Sequence, residues 1–297
     1  MIGLLLAREL TMVLRRSGFH ILVTMQAIVG LALVFAAQVI VRQYTPGTPP
    51  SLGTAVTSTP TAPPPPSLLA SSVDTTLLLG WALWLVVACV LIVPALTGGA
   101  IARERERGTL SVVLGSGASP AALVAAKLVG ALLLMAGLVA SGLPALGLAL
   151  VFGAPPLQAV VASGLVVLAW GGVVAGVGLA ASALTRSSSA GTAGALLAAV
   201  TLLALTVVAP AVAPALGVTP PALAFRLNPF MAVLLAEPET GRRIAEQLSA
   251  GQWVAAFTRD PSPPGPAWWP FVIASMAVCA LLGGATSLIV GRSSSDV

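Results

Sequence analysis

The sequence predicts an all-α polytopic membrane protein with six transmembrane helices. It adds a cytoplasmic N-terminal interfacial helix, a short cytoplasmic helix between spans two and three, and a helical external loop between spans five and six. Three observations predict this. Of 297 residues, 57% are hydrophobic and only 8% are charged, where a soluble domain carries about 25% charged residues. Mean hydropathy is +1.01. Apolar runs long enough to cross a bilayer, about 20 residues each, recur along the chain. A water-soluble enzyme, a disordered chain and a nucleic-acid binder are thereby excluded. The net charge of +5 comes from 14 basic residues diluted among apolar runs, not from a phosphate-binding face.

Residues 1–18 read as the interfacial helix. Leu6, Leu10, Val13 and Leu14 share one face, and Arg8, Glu9, Arg15 and Arg16 the other, which suits a helix lying among anionic head groups. The first span is 19–41. Charges precede it and no A-x-A cleavage site follows, so it is expected to be a retained helix and not a signal peptide. Residues 43–73 hold eight prolines, eleven Ser/Thr and no charge. They read as a flexible external linker with polyproline II character at Pro63-Pro64-Pro65-Pro66.

The second span is 76–100, and a charged cytoplasmic element follows over 101–114. The third, 121–152, is longer than a perpendicular crossing needs. Its first turn around Lys127 is expected at the surface, and Pro144 is a candidate kink. The fourth and fifth spans, 157–184 and 188–213, are separated by a tight Thr185-Arg186-Ser187 turn. Gly172, Gly176 and Ala180 in one, and Gly191, Ala195 and Ala199 in the other, would let helix backbones approach closely. The external loop 214–267 contains an amphipathic helix over 240–257, with Ile244, Leu248 and Val254 opposed to Arg242, Arg243, Glu246 and Gln247. The sixth span is 268–290.

Six spans put both termini on one side of the membrane. Arg8, Arg15, Arg16, Arg103, Arg105, Arg107, Lys127, Arg186 and Arg292 share that side, nine against the five of Arg42, Arg226, Arg242, Arg243 and Arg259. Both termini are therefore expected in the cytoplasm. Trp81, Trp84, Trp268 and Trp269 fall at the outer ends of their spans, where interfacial anchors belong. Cys89 and Cys279 lie in apolar runs and His20 has no cluster to join, so neither a disulfide framework nor a metal site is expected.

The densest chemistry is Arg103-Glu104-Arg105-Glu106-Arg107-Gly108-Thr109-Leu110. A loop needed only for topology has no use for alternating acids and bases, a Gly-Thr break and the apolar Leu110, Val112, Val113 and Leu114. Such a block suits a short helix that offers both signs to a partner protein while its apolar side rests on the bundle.

That stretch resembles the ABC-2 type transporter permeases, whose second and third spans are joined by an E-R-E-x-G-T-L element. Here it is Glu104-Arg105-Glu106-Arg107-Gly108-Thr109-Leu110, followed at similar spacing by Ser119-Pro120 and Ala126-Lys127. Arg8-Glu9-Leu10 before span one and Asn228-Pro229-Phe230 before span six are similar too. The long Pro/Ser/Thr-rich first external loop departs from the pattern. The resemblance implies a membrane-spanning permease subunit, an exporter, in the plasma (cytoplasmic or inner) membrane of a bacterium or archaeon. It pairs with a second permease copy or paralogue and is driven by a separate ATP-binding subunit. It further implies that Arg103–Thr109 is the coupling helix, with Glu104, Glu106 and the arginines in ion pairs to that subunit. Gly108 would be the helix stop and Thr109 the cap of the next helical turn. Asn228, Pro229 and Phe230 would help form an external gate.

The chain has no G-x-x-x-x-G-K-[ST] phosphate loop, so no catalytic residue is expected in it, and ATP and Mg belong on the partner. Gly176-Val177-Gly178-Leu179-Ala180-Ala181 fits G-x-G-x-x-A only formally, because it lies inside a span. Residues 77–102, 128–185 and 187–225 contain no Asp, Glu, Lys, Arg or His, which speaks against an ion-coupled carrier. An uncharged interior suits an amphipathic or lipid-like substrate, and equally suits spans that only pack. The competing reading is a membrane anchor or scaffold of a multi-protein machinery, such as those for gliding or copper-site assembly.

Overall fold

The computed structural model describes residues 11, 24–32, 35, 66–149, 157–212, 227–236 and 268–295, and among them every regular element is a helix. These are α1 (Pro66–Thr97), α2 (Ala102–Glu106), α3 (Thr109–Gly115), α4 (Pro120–Ala149), α5 (Leu157–Leu184), α6 (Ser188–Val212), α7 (Pro229–Leu235) and α8 (Trp269–Ser295). Among the described residues, five helices are long and apolar enough to cross a membrane: α1, α4, α5, α6 and α8. The expected first span is described only at 24–32 and 35, all helical. The interfacial helix, apart from Thr11, the linker over 43–65 and the amphipathic helix over 240–257 lie outside the described residues.

Helix α5 is the hub, packing against α1, α4, α6, α7 and α8. Its sequence explains why. A side chain at Gly178 would overlap the Thr97 hydroxyl, and one at Gly176 would come within 3.0 Å of Leu282. The small-residue stripe of α5 thus seats α1 on one side and α8 on another. Gly191 and Ala195 of α6 likewise press on Gly98, just past the end of α1.

The main apolar core joins Leu78, Trp81, Leu85 and Val93 of α1 to Met135 of α4 and to Val166, Trp170 and Val174 of α5. A second, smaller cluster lies beneath the charged element: Ile101, Leu110, Leu123, Val124, Leu179 and Val290. Helices α6 and α8 turn large apolar side chains outward, among them Leu197, Leu205, Leu281 and Leu288. Those faces suit hydrocarbon, which is as apolar as leucine.

Three expectations need correction. First, the linker does not run to 73, because α1 begins at Pro66. Proline fixes φ near its helical value and has no N–H to leave unpaired at a helix start, and Ser67-Leu68-Leu69-Ala70 continues the turn. Second, Lys127 does not turn its side chain outward at that end of the span; it is 7% exposed. Third, Trp81 and Trp84 do not face the membrane interface. Trp81 is 2% exposed and fills the notch left by Gly142, while Trp84 donates its indole N–H to Gln26 Oε1 at 2.5 Å. The interfacial preference of tryptophan concerns depth and says nothing about which side of the helix carries the ring. Here Gln26 supplies an acceptor inside the bundle.

Candidate functional site

The charged block is held by the ends of three helices. The chain leaves α1 through Gly98-Gly99, whose lack of side chains lets the turn pass tightly against Thr192 and Ala195 of α6. Past Ala100, the backbone N–H groups of Ile101 and Ala102 both donate to the Ser182 hydroxyl of α5, at 2.9 and 3.0 Å. One side-chain oxygen thus satisfies two donors that a helix start leaves without partners.

Each following charge has its own address. Glu104 Oε1 accepts from Lys127 Nζ of α4 at 2.8 Å. Arg105 donates from Nη1 to the Ala183 and Thr185 carbonyls, at 3.2 and 2.9 Å, where α5 ends. Glu106 Oε1 accepts from the Ser188 N–H at 2.8 Å, where α6 begins. A cation on a helix C-terminus and an anion on a helix N-terminus both match the helix dipole. The alternation of signs in the sequence therefore follows the alternation of helix ends at the α5–α6 turn. The Ser188 N–H, and after it the Ser188 hydroxyl, holds the exposed Glu106 carboxyl below the usual carboxylate range, with Arg103 and Arg107 contributing.

Glu104 overturns one expectation. It is buried, and its second oxygen, Oε2, is also buried and has no hydrogen-bond partner. Its carboxylate turns to the protein's own third span and pairs there with Lys127. The cause is the pitch of α2: Glu104 and Glu106 are two residues apart, and such positions do not share a helix face.

The block is also two helices. Gly108 takes φ +67, a left-handed turn that favours glycine, and its N–H donates to Arg105 O at 3.1 Å. Thr109 is not the cap of the second helix. Gly108 occupies that position, and the Thr109 hydroxyl donates back to Glu104 O at 3.2 Å. In α3, Leu110 is buried and Val113 and Leu114 rest on the second apolar cluster. The outer face presents Ser111, Gly115, Ser116 and Val112, the last 70% exposed. Arg107 is exposed and Arg103 half-buried. The outward surface of the element is therefore Arg103, Glu106, Arg107 and one side of α3.

Asn228, Pro229 and Phe230 lie elsewhere. Asn228 Oδ1 accepts the Phe230 and Met231 N–H groups, at 2.9 and 3.4 Å, and Pro229 sits at the first helical position. This is a helix N-cap. Asn228 Nδ2 also donates to Thr206 O of α6 at 2.9 Å. Thr206 is 18 residues beyond Ser188, about 27 Å along the helix, so α7 is fastened near the end of α6 opposite the charged element. It packs on α1 and α5.

Among the described residues, no group of His, Cys, Asp and Glu is arranged to hold a metal ion. Sequence reasoning missed Ser182 and the inward role of Lys127. Ser182 has no signal in the sequence. Lys127 has one: it is the only lysine in the chain and stands in an apolar run, where an ionisable group calls for a partner.

Residues 18–236 match the family described as ABC-2 family transporter protein. No curated protein matches the chain.

Proposed function

We propose, for a chain that belongs to the ABC-2 transporter family and is a multi-pass membrane permease component of an ABC transporter, that residues 102–115 are the docking element for a separate ATP-binding subunit. A permease component is not itself catalytic; ATP and Mg are bound by the partner. One observation supports this reading above the others. Glu104, Arg105 and Glu106 fasten the element to α4, α5 and α6, while Arg103, Arg107 and the Val112 side of α3 are left facing outward. The surface offered to a partner then carries both signs, Arg103, Glu106 and Arg107, beside the exposed apolar Val112. Charges of both signs steer and register a complementary groove, and the apolar side chain supplies contact area.

In the working cycle, closure of the ATP-binding pair on ATP displaces the element, and the spans change their arrangement. The direction is export. A second permease copy or paralogue supplies the other half of the path. At the far end, the Asn228-capped α7 shapes the external gate, since it is tied to α6 through Thr206 and rests on α1 and α5.

The test is recovery of the tagged protein from its native membrane in mild detergent, with mass spectrometry of its companions. A P-loop ATPase in near-equal amount, lost on combining Arg107→Glu with Val112→Asp, is the expected result. No ATPase from a well-folded preparation overturns the docking reading and leaves a scaffold without a motor as the better account.

A further inference from the structure

The geometry points to Lys127 as the positioning residue that makes the third span follow the docking element; this rests on the docking reading above. The backbone of α2 comes close to α3 and α6. Besides its hydrogen bonds to α5 and α6, the element meets α4 through two kinds of contact. Towards α4, Ile101 and Leu110 share an apolar cluster with Leu123 and Val124. Apolar contact is non-directional, so this cluster by itself does not specify one orientation of the element on α4. The Glu104–Lys127 pair does specify one, because a charge-assisted hydrogen bond of 2.8 Å fixes both distance and angle.

Stability is a poor reason for such a pair. Removing two charges from water costs about as much as their attraction returns, and here Glu104 Oε2 stays buried without a partner, which makes the balance worse. The best-attested use of a buried ion pair is to fix register between elements. The space around Lys127 agrees with that. A cavity of about 50 Å³ lies between the end of α1, at Leu96 and Thr97, and α4, at Gly130 and Ala131, with Lys127 on its wall. The lysine stem is thus not clamped by close packing on that side, and Glu104 gives its ammonium a directional contact to α2. Displacement of α2 pulls α4 through this bond, while Arg105 and Glu106 carry the same displacement to the α5–α6 turn.

The experiment uses the complete permease–ATPase complex. Leu143, an exposed residue of α4 beyond Lys127, is changed to cysteine in a background with Cys89 and Cys279 replaced. Its maleimide labelling rate is measured without nucleotide and with ATP plus vanadate. Lys127→Met is expected to retain the ATPase and to reduce the nucleotide-dependent change in labelling by about tenfold, within the usual range of coupling between sites. Lys127→Arg keeps most of the change. The exchange Glu104→Lys with Lys127→Glu restores it, and equal thermal midpoints for Lys127→Met and the wild type separate a loss of coupling from a loss of stability. An unaltered response in Lys127→Met overturns the proposal and leaves docking intact. Should Lys127→Met fail to insert, the exchange decides: a folded exchange variant that binds ATPase but does not respond overturns it equally. Absence of the ATPase from the wild-type complex overturns the docking reading and this proposal together.

Discussion

Two short helices meet at Gly108, and they use their residues in opposite ways. The charged one, α2, looks like a surface feature in the sequence, yet its Glu104, Arg105 and Glu106 are all engaged by the protein's own spans. The nearly apolar one, α3, looks like part of the core, yet it keeps Val112 in the open. Charge density marks where helix ends and a buried lysine need partners, and exposure marks where another protein can touch. Gly108 separates the two properties only in part, since the exposed Glu106 and Arg107 precede it.

The contrast is broken most severely at Glu104. Glu104→Leu leaves the buried Lys127 ammonium without its carboxylate and should cost about 3–5 kcal/mol, read as a large fall in thermal midpoint in detergent. Glu106→Leu, on the exposed side of the same helix, should lower it far less. Equal falls would show that the inward and outward halves of α2 have been wrongly divided. Ser182→Ala comes next. It strips the acceptor from the Ile101 and Ala102 N–H groups and should cost about 1–3 kcal/mol, with faster hydrogen exchange at those two amides as the check. Gly108→Val forces a β-branched residue to φ +67 and should cost about 1–2 kcal/mol, whereas Gly108→Asn should be tolerated. The smallest stability effect belongs to Val112→Ser, within about 0.5 kcal/mol of wild type. Its consequence is expected in binding: less ATPase recovered at the same thermal midpoint. A loss of stability there would mean that α3 is packed by its own chain.

How far the sequence can be read obeys the same division. The long apolar runs, the break at 185–187 and the E-R-E-x-G-T-L element are local patterns, and local patterns are legible. The face that Glu104 presents is not local. A five-residue helix has too few positions for periodicity to distinguish sides, and the partner of Glu104 stands 23 residues on, inside the next span. The tryptophans mislead for a related reason. Hydropathy places Trp81 and Trp84 along the span, but what turns them inward is Gly142 and Gln26, on two other segments. Pro66 carries a local cue that its setting outweighs: four prolines in a row suggest an extended chain, and only the last of them begins a helix.

The spacing of the contacts around α2 also sets an order of manufacture. Glu104 meets Lys127 after only 23 further residues, but Arg105 and Glu106 wait for carbonyl and amide groups 78 to 82 residues downstream. At a synthesis rate of about 5–20 residues per second, roughly 80 residues take roughly 4–16 s. Between the addition of Lys127 and that of Ser188, the nascent chain can match Glu104 while Arg105 and Glu106 still lack their partners. They find their partners only when the α5–α6 hairpin has entered the membrane with its turn on the same side. A ribosome-bound chain truncated before residue 183 therefore lacks the groups that Arg105 and Glu106 bond in the folded protein.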